Sequence, residues 1–273
     1  AAKYGFSREE QDAFAAESVR RAQAAVAEGR FRAEIAAVTV AGRKGEVSID
    51  GDETPGKCDL NKIPSLKPAF KKDGTVTAAS SSSISDGAAA TVLMTAEHAR
   101  SHGLEPLARV IGHVTHSQTP EWFTTAPVGA IDRLLQRIGW SVDQVDLFEV
   151  NEAFAVVAMA PMHELGVPHA KLNVNGGSIS ISCTSAYSGT PYRRTQSRRS
   201  ELRVISAARV RREMSTGSPT SMISGRLTAG RHTLRIRTRD AVETPSLPLG
   251  PRLDALCLTP ERAYHPRDED FGD

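Results

Sequence analysis

Apolar and polar positions alternate along this chain with helical and extended periods in turn. Ser7-Arg8-Glu9-Glu10 has the pattern of a capping box, and the Ala- and charge-rich run to Glu28 predicts one long helix stopped by Gly29. Ile35 to Val40 is β-branched and apolar enough for a strand, whereas Gly42 to Pro68 is rich in Gly, Pro, Asp and Lys and predicts surface loop. From Thr75 the chain passes through Ser80 to Ser83 and Ile84-Ser85-Asp86-Gly87 into the apolar run Ala88 to Met94, a pattern that predicts a tight turn and then a buried strand. A short helix is expected from Ala96 to His102, closed by Gly103, and a strand from Leu107 to Val114. Val128, Ile131, Leu134, Leu135 and Ile138 share helical spacing, which predicts a helix from Pro127 to Ile138 ended by Gly139. Val145 to Val150 reads as a strand, Asn151 to Leu165 as a helix, and Lys171 to Val174 as the start of a strand before the turn Asn175-Gly176-Gly177. This alternation predicts an α/β sheet whose functional residues lie where strands end and helices begin.

The pattern changes after Gly177. Residues 178–273 hold sixteen Arg and no Lys, against ten Arg and eight Lys before them, and Ser, Thr and Pro fill much of the remainder. Leu202 to Met214 is the only stretch there that resembles a helix, and Leu234 to Arg237 the only one that alternates like a strand. Little apolar area is available to offset the entropy of ordering, so this tail is expected to be mostly disordered. Arg without Lys is also what GC-rich coding DNA translated in another frame would produce.

With 273 residues and 40% hydrophobic content, the chain can bury a real core. A net charge of +2 calls for no polyanionic partner, and no apolar run is long enough to span a bilayer, so neither nucleic acid nor membrane is expected as a partner. The N-terminus lacks the apolar stretch of a signal peptide, and Cys58, Cys183 and Cys257 are too scattered for a disulfide framework, which together suggest a reducing, cytoplasmic compartment. There is no initiator Met and a helix opens almost at once, so the chain is expected to begin inside a larger protein.

Strand residues Val145 to Val150 run directly into Asn151-Glu152-Ala153-Phe154-Ala155, a combination similar to the NEAF signature of thiolases. Leu66-Lys67-Pro68-Ala69-Phe70-Lys71-Lys72-Asp73-Gly74-Thr75-Val76-Thr77-Ala78 resembles the thiolase segment before the CoA-contacting serine, and Ser85-Asp86-Gly87-Ala88-Ala89-Ala90 resembles the strand after it. Val40 to Gly45 and Leu172 to Gly177 match further segments in the expected order. The resemblance covers about two thirds of the chain. It divides the sequence into 1–72 (the remainder of a loop region), 73–104 (the last strand and helix of an N-terminal half), 105–177 (the first part of a C-terminal half) and the anomalous tail 178–273.

The resemblance implies a partial thiolase fold, a layered αβαβα arrangement that works as a homodimer or homotetramer in the intact family. Its chemistry is acyl transfer between CoA thioesters, of the acetyl-CoA C-acetyltransferase or 3-ketoacyl-CoA thiolase type, with no cofactor beyond the acyl-CoA substrates and no metal. By the same correspondence Asn151 is the candidate catalytic residue, positioning a water in an oxyanion site, since a carboxamide donates and accepts together. A simple N-cap is the competing explanation for an Asn at that place. Ser82 aligns with the serine that contacts the pantetheine arm, and Phe70 and Ala78 with its CoA-touching neighbours. Ala153 and Phe154 would line the acyl-CoA pocket, although a Phe on a helix is more often core. The serine run departs from the commoner Gly-Asn-Ala-Ser-Gly, and a flexible polar turn is its lesser alternative reading.

The acyl-accepting step needs a thiolate, and the resemblance places the family's nucleophilic cysteine upstream of Ala1. Its Gly-His-Pro histidine and second cysteine belong after Gly177, where this chain has Ser178-Ile179-Ser180-Ile181, so the chain taken alone is expected to be inactive. Cys58 beside Lys57 reads as an ordinary surface thiol. His98 and His102 have the spacing of a metal pair and His113 and His116 lie nearby, but no third ligand is evident and solvent-exposed histidines are the expectation. His265-Pro266 lacks the preceding Gly, and the pairs Arg193-Arg194, Arg198-Arg199 and Arg211-Arg212 stand without interleaved aromatics, as in a solvated basic tail.

Overall fold

The capping box expected at Ser7 forms and starts α1 (Arg8–Ala27). Ser7 Oγ accepts from the Glu10 amide at 3.1 Å while the Glu10 carboxylate accepts from the Ser7 amide at 2.7 Å, which satisfies two of the helix's four orphan donors. One face of α1 buries Phe14, Ala15, Ser18, Val19, Ala22 and Ala25, and the chain leaves through Gly29 at φ 68. These coordinates are a computed structural model, which describes residues 1–42, 45–83, 85, 92–181, 204–210 and 252–259.

The expected loop from Gly42 to Pro68 contains more structure than its composition suggests. β1 (Val38–Gly42) and β2 (Gly45–Ile49) form an antiparallel hairpin with Val38 opposite Ile49 and Val40 opposite Val47, so the strand lies a few residues beyond the expected Ile35 to Val40. Gly45 at φ 121 permits the turn, and the alternation of Glu46, Val47, Ser48 and Ile49 is a strand pattern masked by loop-forming neighbours. α2 (Thr54–Lys57) and a 3-10 turn over Leu60–Ser65 follow.

The short helix appears as α3 (Ala96–Ser101), capped by Thr95, and β3 (Arg109–Ser117) starts two residues later than expected. α4 (Ala126–Ile138) buries Ile131, Leu134 and Leu135 against Val145 and Phe148, and Gly139 at φ 68 closes it. β4 (Leu147–Val150) and α5 (Ala155–Leu165) complete the core, to which Phe14 of α1 and Leu172 are added. Two tail segments, β5 (Val204–Val210) and β6 (Arg252–Thr259), are strands in a four-stranded sheet of order β3-β6-β5-β4. Only β4 and β5 are parallel, so the sheet is mixed.

Several expectations are corrected by these elements. Of the helix expected over Leu202 to Met214, the described part, Val204–Val210, is strand β5 instead, consistent with its β-branched Val204, Ile205 and Val210. Leu234 to Arg237 lies outside the described residues, as does most of the expected strand Ala88 to Met94, whose described end, Val92 to Met94, is exposed and in no strand. The strand expected from Lys171 is a 3-10 turn over His169–Lys171 followed by one parallel bridge, Leu172 to Phe148. Asn173 at φ 46 then leaves the extended region and ends the pairing. The helix expected from Asn151 begins at Ala155, because Phe154 is extended (φ −146) and bridges Ser81.

Candidate functional site

β4 ends at Val150 because a side chain takes the place of a neighbouring strand. Asn173 Oδ1 accepts from the Val150 amide and Asn173 Nδ2 donates to the Val150 carbonyl, both at 2.8 Å, so one carboxamide satisfies both backbone groups. Asn tolerates the left-handed backbone that this requires. The chain is then free to turn, and residues 151–154 cross the end of the strand before α5 starts.

On one side of that crossing lies the serine turn. Ser80 is fully buried, its amide accepted by Thr77 Oγ1 at 3.3 Å and its hydroxyl accepting from the Thr77 amide at 2.9 Å, and Ser81 Oγ donates to the Thr77 carbonyl at 2.7 Å. These bonds make the run an ordered turn. The turn docks on the crossing strand: the Ala155 amide donates to the Ser80 carbonyl at 2.9 Å and the Ser82 amide to the Ala153 carbonyl at 3.2 Å. Ser82 Oγ has only a long 3.4 Å contact to the Ala153 carbonyl, so its hydroxyl is less committed than those of Ser80 and Ser81. Phe70, 71% exposed, stands on the adjoining hairpin held by the Pro68–Thr77 bridge, and its ring meets Phe154 edge-on at 5.8 Å. Of the residues singled out from sequence, Phe70 therefore meets Phe154, Ser82 meets Ala153, the chain neighbour of Phe154, and Ala78 is exposed within the Thr77–Ser81 turn.

Asn151 meets a different segment of the chain: Ser178 Oγ donates to its Oδ1 at 2.8 Å. It does not cap α5, whose N-cap is Phe154 without a side-chain bond, so capping does not explain this Asn. Beneath it the Glu152 carboxylate is fully buried and accepts from Ser18 Oγ at 2.7 Å, Asn173 Nδ2 at 2.7 Å and the Ile179 amide at 3.3 Å. Burial pushes the Glu152 carboxyl above its ordinary value, while these donors and the charge of Arg21 pull the other way. Glu149 is pushed up to about 8, first by burial and then by the negative charge of Glu152.

Glu152, Asn173 and Ser18 were not singled out from sequence. The available signal was a pair of acids, Glu149 and Glu152, in the mostly apolar stretch 147–155, together with Asn173 between the apolar Leu172 and Val174.

The other candidates lie elsewhere. Cys58 is a free thiol whose carbonyl accepts from Gln23, in the C-terminal part of α1, at 3.2 Å; burial and then Asp52 push its pKa up, and the neighbouring Lys57 pairs with Glu53 at 2.8 Å. Cys183, His265-Pro266 and the three Arg pairs lie outside the described residues, and of Cys257 only the backbone, in β6, is described. The His98 and His102 rings lie 4.1 Å apart on exposed α3, and among the described residues no group of three His, Cys, Asp or Glu could hold a metal ion. Among the described residues no helix is long and apolar enough to cross a membrane.

Comparison with known proteins gives a consistent picture. The family description of the thiolase N-terminal domain matches residues 1–97, and that of the thiolase C-terminal domain matches residues 104–203. An acetyl-CoA acetyltransferase of Pseudomonas aeruginosa is 48% identical over 183 residues, which is 66% of this chain and 47% of that protein. The crystal structure of the Bacillus anthracis acetyl-CoA acetyltransferase superposes with a TM-score of 0.65 at 39% identity, covering 68% of this chain and 48% of the other. A thiolase from Ascaris suum, solved in complex with coenzyme A, superposes with a TM-score of 0.65 at 26% identity over 95% of this chain and 58% of its own. The chain spans about half the length of the curated relatives it matches.

Proposed function

The chain belongs to the thiolase family and carries part of the thiolase fold, and from that premise we propose that its site receives an acyl-CoA thioester for acyl transfer of the acetyl-CoA acetyltransferase type. The observation that carries this reading is the docking of Ser80 to Ser82 on Ala153 to Ala155 under the Phe70–Phe154 ring pair. It presents a weakly committed hydroxyl, at Ser82, beside exposed apolar surface. Such a pairing suits the pantetheine arm of CoA, whose amides need hydrogen-bond partners and whose methylenes favour apolar contact. Asn151 would act on the thioester carbonyl, through a water, where negative charge develops during acyl transfer.

Acyl transfer by covalent catalysis needs a thiolate at the thioester carbon. The one thiol whose side chain is described, Cys58, lies by Gln23 of α1 with a raised pKa. We therefore propose that this 273-residue chain binds CoA thioesters without turning them over by itself, and that turnover belongs to an assembly supplying a nucleophile and base beyond those of the described residues. Acyl transfer in the cytoplasm by a homodimer or homotetramer is the setting proposed for that assembly. The test is calorimetric titration of the chain with acetyl-CoA, alongside an acetoacetyl-CoA thiolysis assay. Saturable 1:1 binding without turnover supports the reading; absence of binding, or family-like turnover by the chain alone, refutes it.

A further inference from the structure

The Asn151–Ser178 contact is bracketed by a second contact one residue further along each strand of chain. Ser178 Oγ reaches Asn151 Oδ1 at 2.8 Å, and the next amide, Ile179, donates to the Glu152 carboxylate at 3.3 Å. The same carboxylate takes Ser18 Oγ from α1 and Nδ2 of Asn173, the residue that ends β4. Two segments distant in sequence from Glu152, α1 and residues 173–179, therefore converge on its buried carboxylate. Gly177, immediately before Ser178, passes so close that a Cβ there would stand 2.3 Å from Glu152 Cδ, and its amide donates to Ser18 Oγ at 3.1 Å. The turn bearing Ser178 thus has no slack against the carboxylate. Arg21 adds long-range attraction while its guanidinium donates to the Leu172 carbonyl at 2.6 Å, which steadies the approach to Asn173.

We propose that Glu152 is the positioning residue of this site: its carboxylate holds the 178–179 turn against the 151–152 crossing and so fixes the orientation of the Asn151 carboxamide toward a thioester carbonyl. This rests on the reading of the site as one for CoA thioesters. A carboxylate suits the task because three donors face it and it can accept from all of them. A Gln in its place has one acceptor oxygen and an NH2 group. It can serve Asn173 and, after rotation of the hydroxyl, Ser18, but its NH2 would confront the Ile179 amide donor to donor. The bond lost is the one that brackets Ser178.

The probe is acetyl-CoA, with CoA as the ligand that lacks the thioester carbonyl, titrated calorimetrically into the full chain and its variants. In Glu152→Gln, acetyl-CoA affinity is expected to fall about tenfold, the size of one hydrogen bond's net contribution, while CoA affinity changes much less. Ser178→Ala is expected to do the same, and the double variant to be no worse than either alone, because both act through the same carboxamide. If Glu152→Gln does not fold, Ser18→Ala, which removes a single donor to the carboxylate, replaces it with the same selective and non-additive pattern expected. Equal losses for both ligands, additive effects, or no effect overturn the role of Glu152 while leaving the CoA reading intact. A wild-type chain that binds neither ligand overturns both.

Discussion

Replacing Glu149 by Gln is expected to remove most of a pH-dependent loss of stability. Burial and the neighbouring Glu152 charge raise the Glu149 carboxyl from 4.5 to about 8. A carboxyl with a higher pKa in the folded state binds more protons there than in the unfolded chain, so its contribution is greatest below about pH 4.5, declines as pH rises, and levels off above about pH 8. At about 1.4 kcal/mol per pH unit the whole change is ~5 kcal/mol, of which ~3 kcal/mol falls between about pH 5 and pH 8. Gln mimics the protonated acid and does not titrate, so the variant should be the more stable protein near pH 8 and close to wild type near pH 5. Glu152, also raised by burial, keeps its own share, so the slope should shrink without vanishing. His169, lowered by burial and then by Arg21, contributes with the opposite sign in both proteins and cancels in the comparison. Urea unfolding followed by the fluorescence of Trp122 and the partly buried Trp140, repeated from pH 5 to pH 8, measures the two slopes. Equal slopes for wild type and Glu149→Gln would refute the assignment of the effect to this carboxyl.

Gly177→Ala should destabilise the chain by about 3 kcal/mol, at the upper end of overpacking costs, because its Cβ would displace the Glu152 carboxylate, which Ser18, Asn173 and the Ile179 amide hold in place; thermal unfolding within a degree of wild type would contradict the packing. Ser7→Ala removes one half of the capping box and should cost about 1 kcal/mol in urea unfolding while leaving acetyl-CoA affinity unchanged, since α1 begins far from Asn151 along its length.

Local signals were legible in this sequence, and non-local ones were not. The capping box at Ser7, the glycine stops at Gly29 and Gly139 and the apolar spacing of α4 each depend on a few neighbouring residues, and each appears where the sequence places it. The start of α5 was misplaced because Phe154 is drawn into extended geometry by Ser81, more than 70 positions away. A strand was expected at Lys171 because Lys171 to Val174 has the right composition, whereas Asn173 spends its side chain on Val150 and its backbone on a left-handed turn. The serine run also admits a flexible-turn reading from sequence, since the bonds from Ala155 and Ser82 that order it lie across the fold.

The same distinction explains why the residues of the resemblance are easier to find than the residue proposed to position Asn151. Asn151, Ser82 and Phe154 belong to short runs that can be recognised in one dimension. Glu152 acquires its role only when Ser18 of α1, Asn173 and Ile179 arrive around it, at separations of 134, 21 and 27 residues. Ser18 lies in the stretch matched by the thiolase N-terminal domain, and the other three in the stretch matched by the C-terminal domain. The carboxylate therefore sits where the two matched regions meet, and desolvating it is tolerable only with all its donors present. Burying an acid at that junction makes the ordering of the Asn151 turn depend on the docking of α1, so the two regions must be assembled together before the carboxamide is held in place.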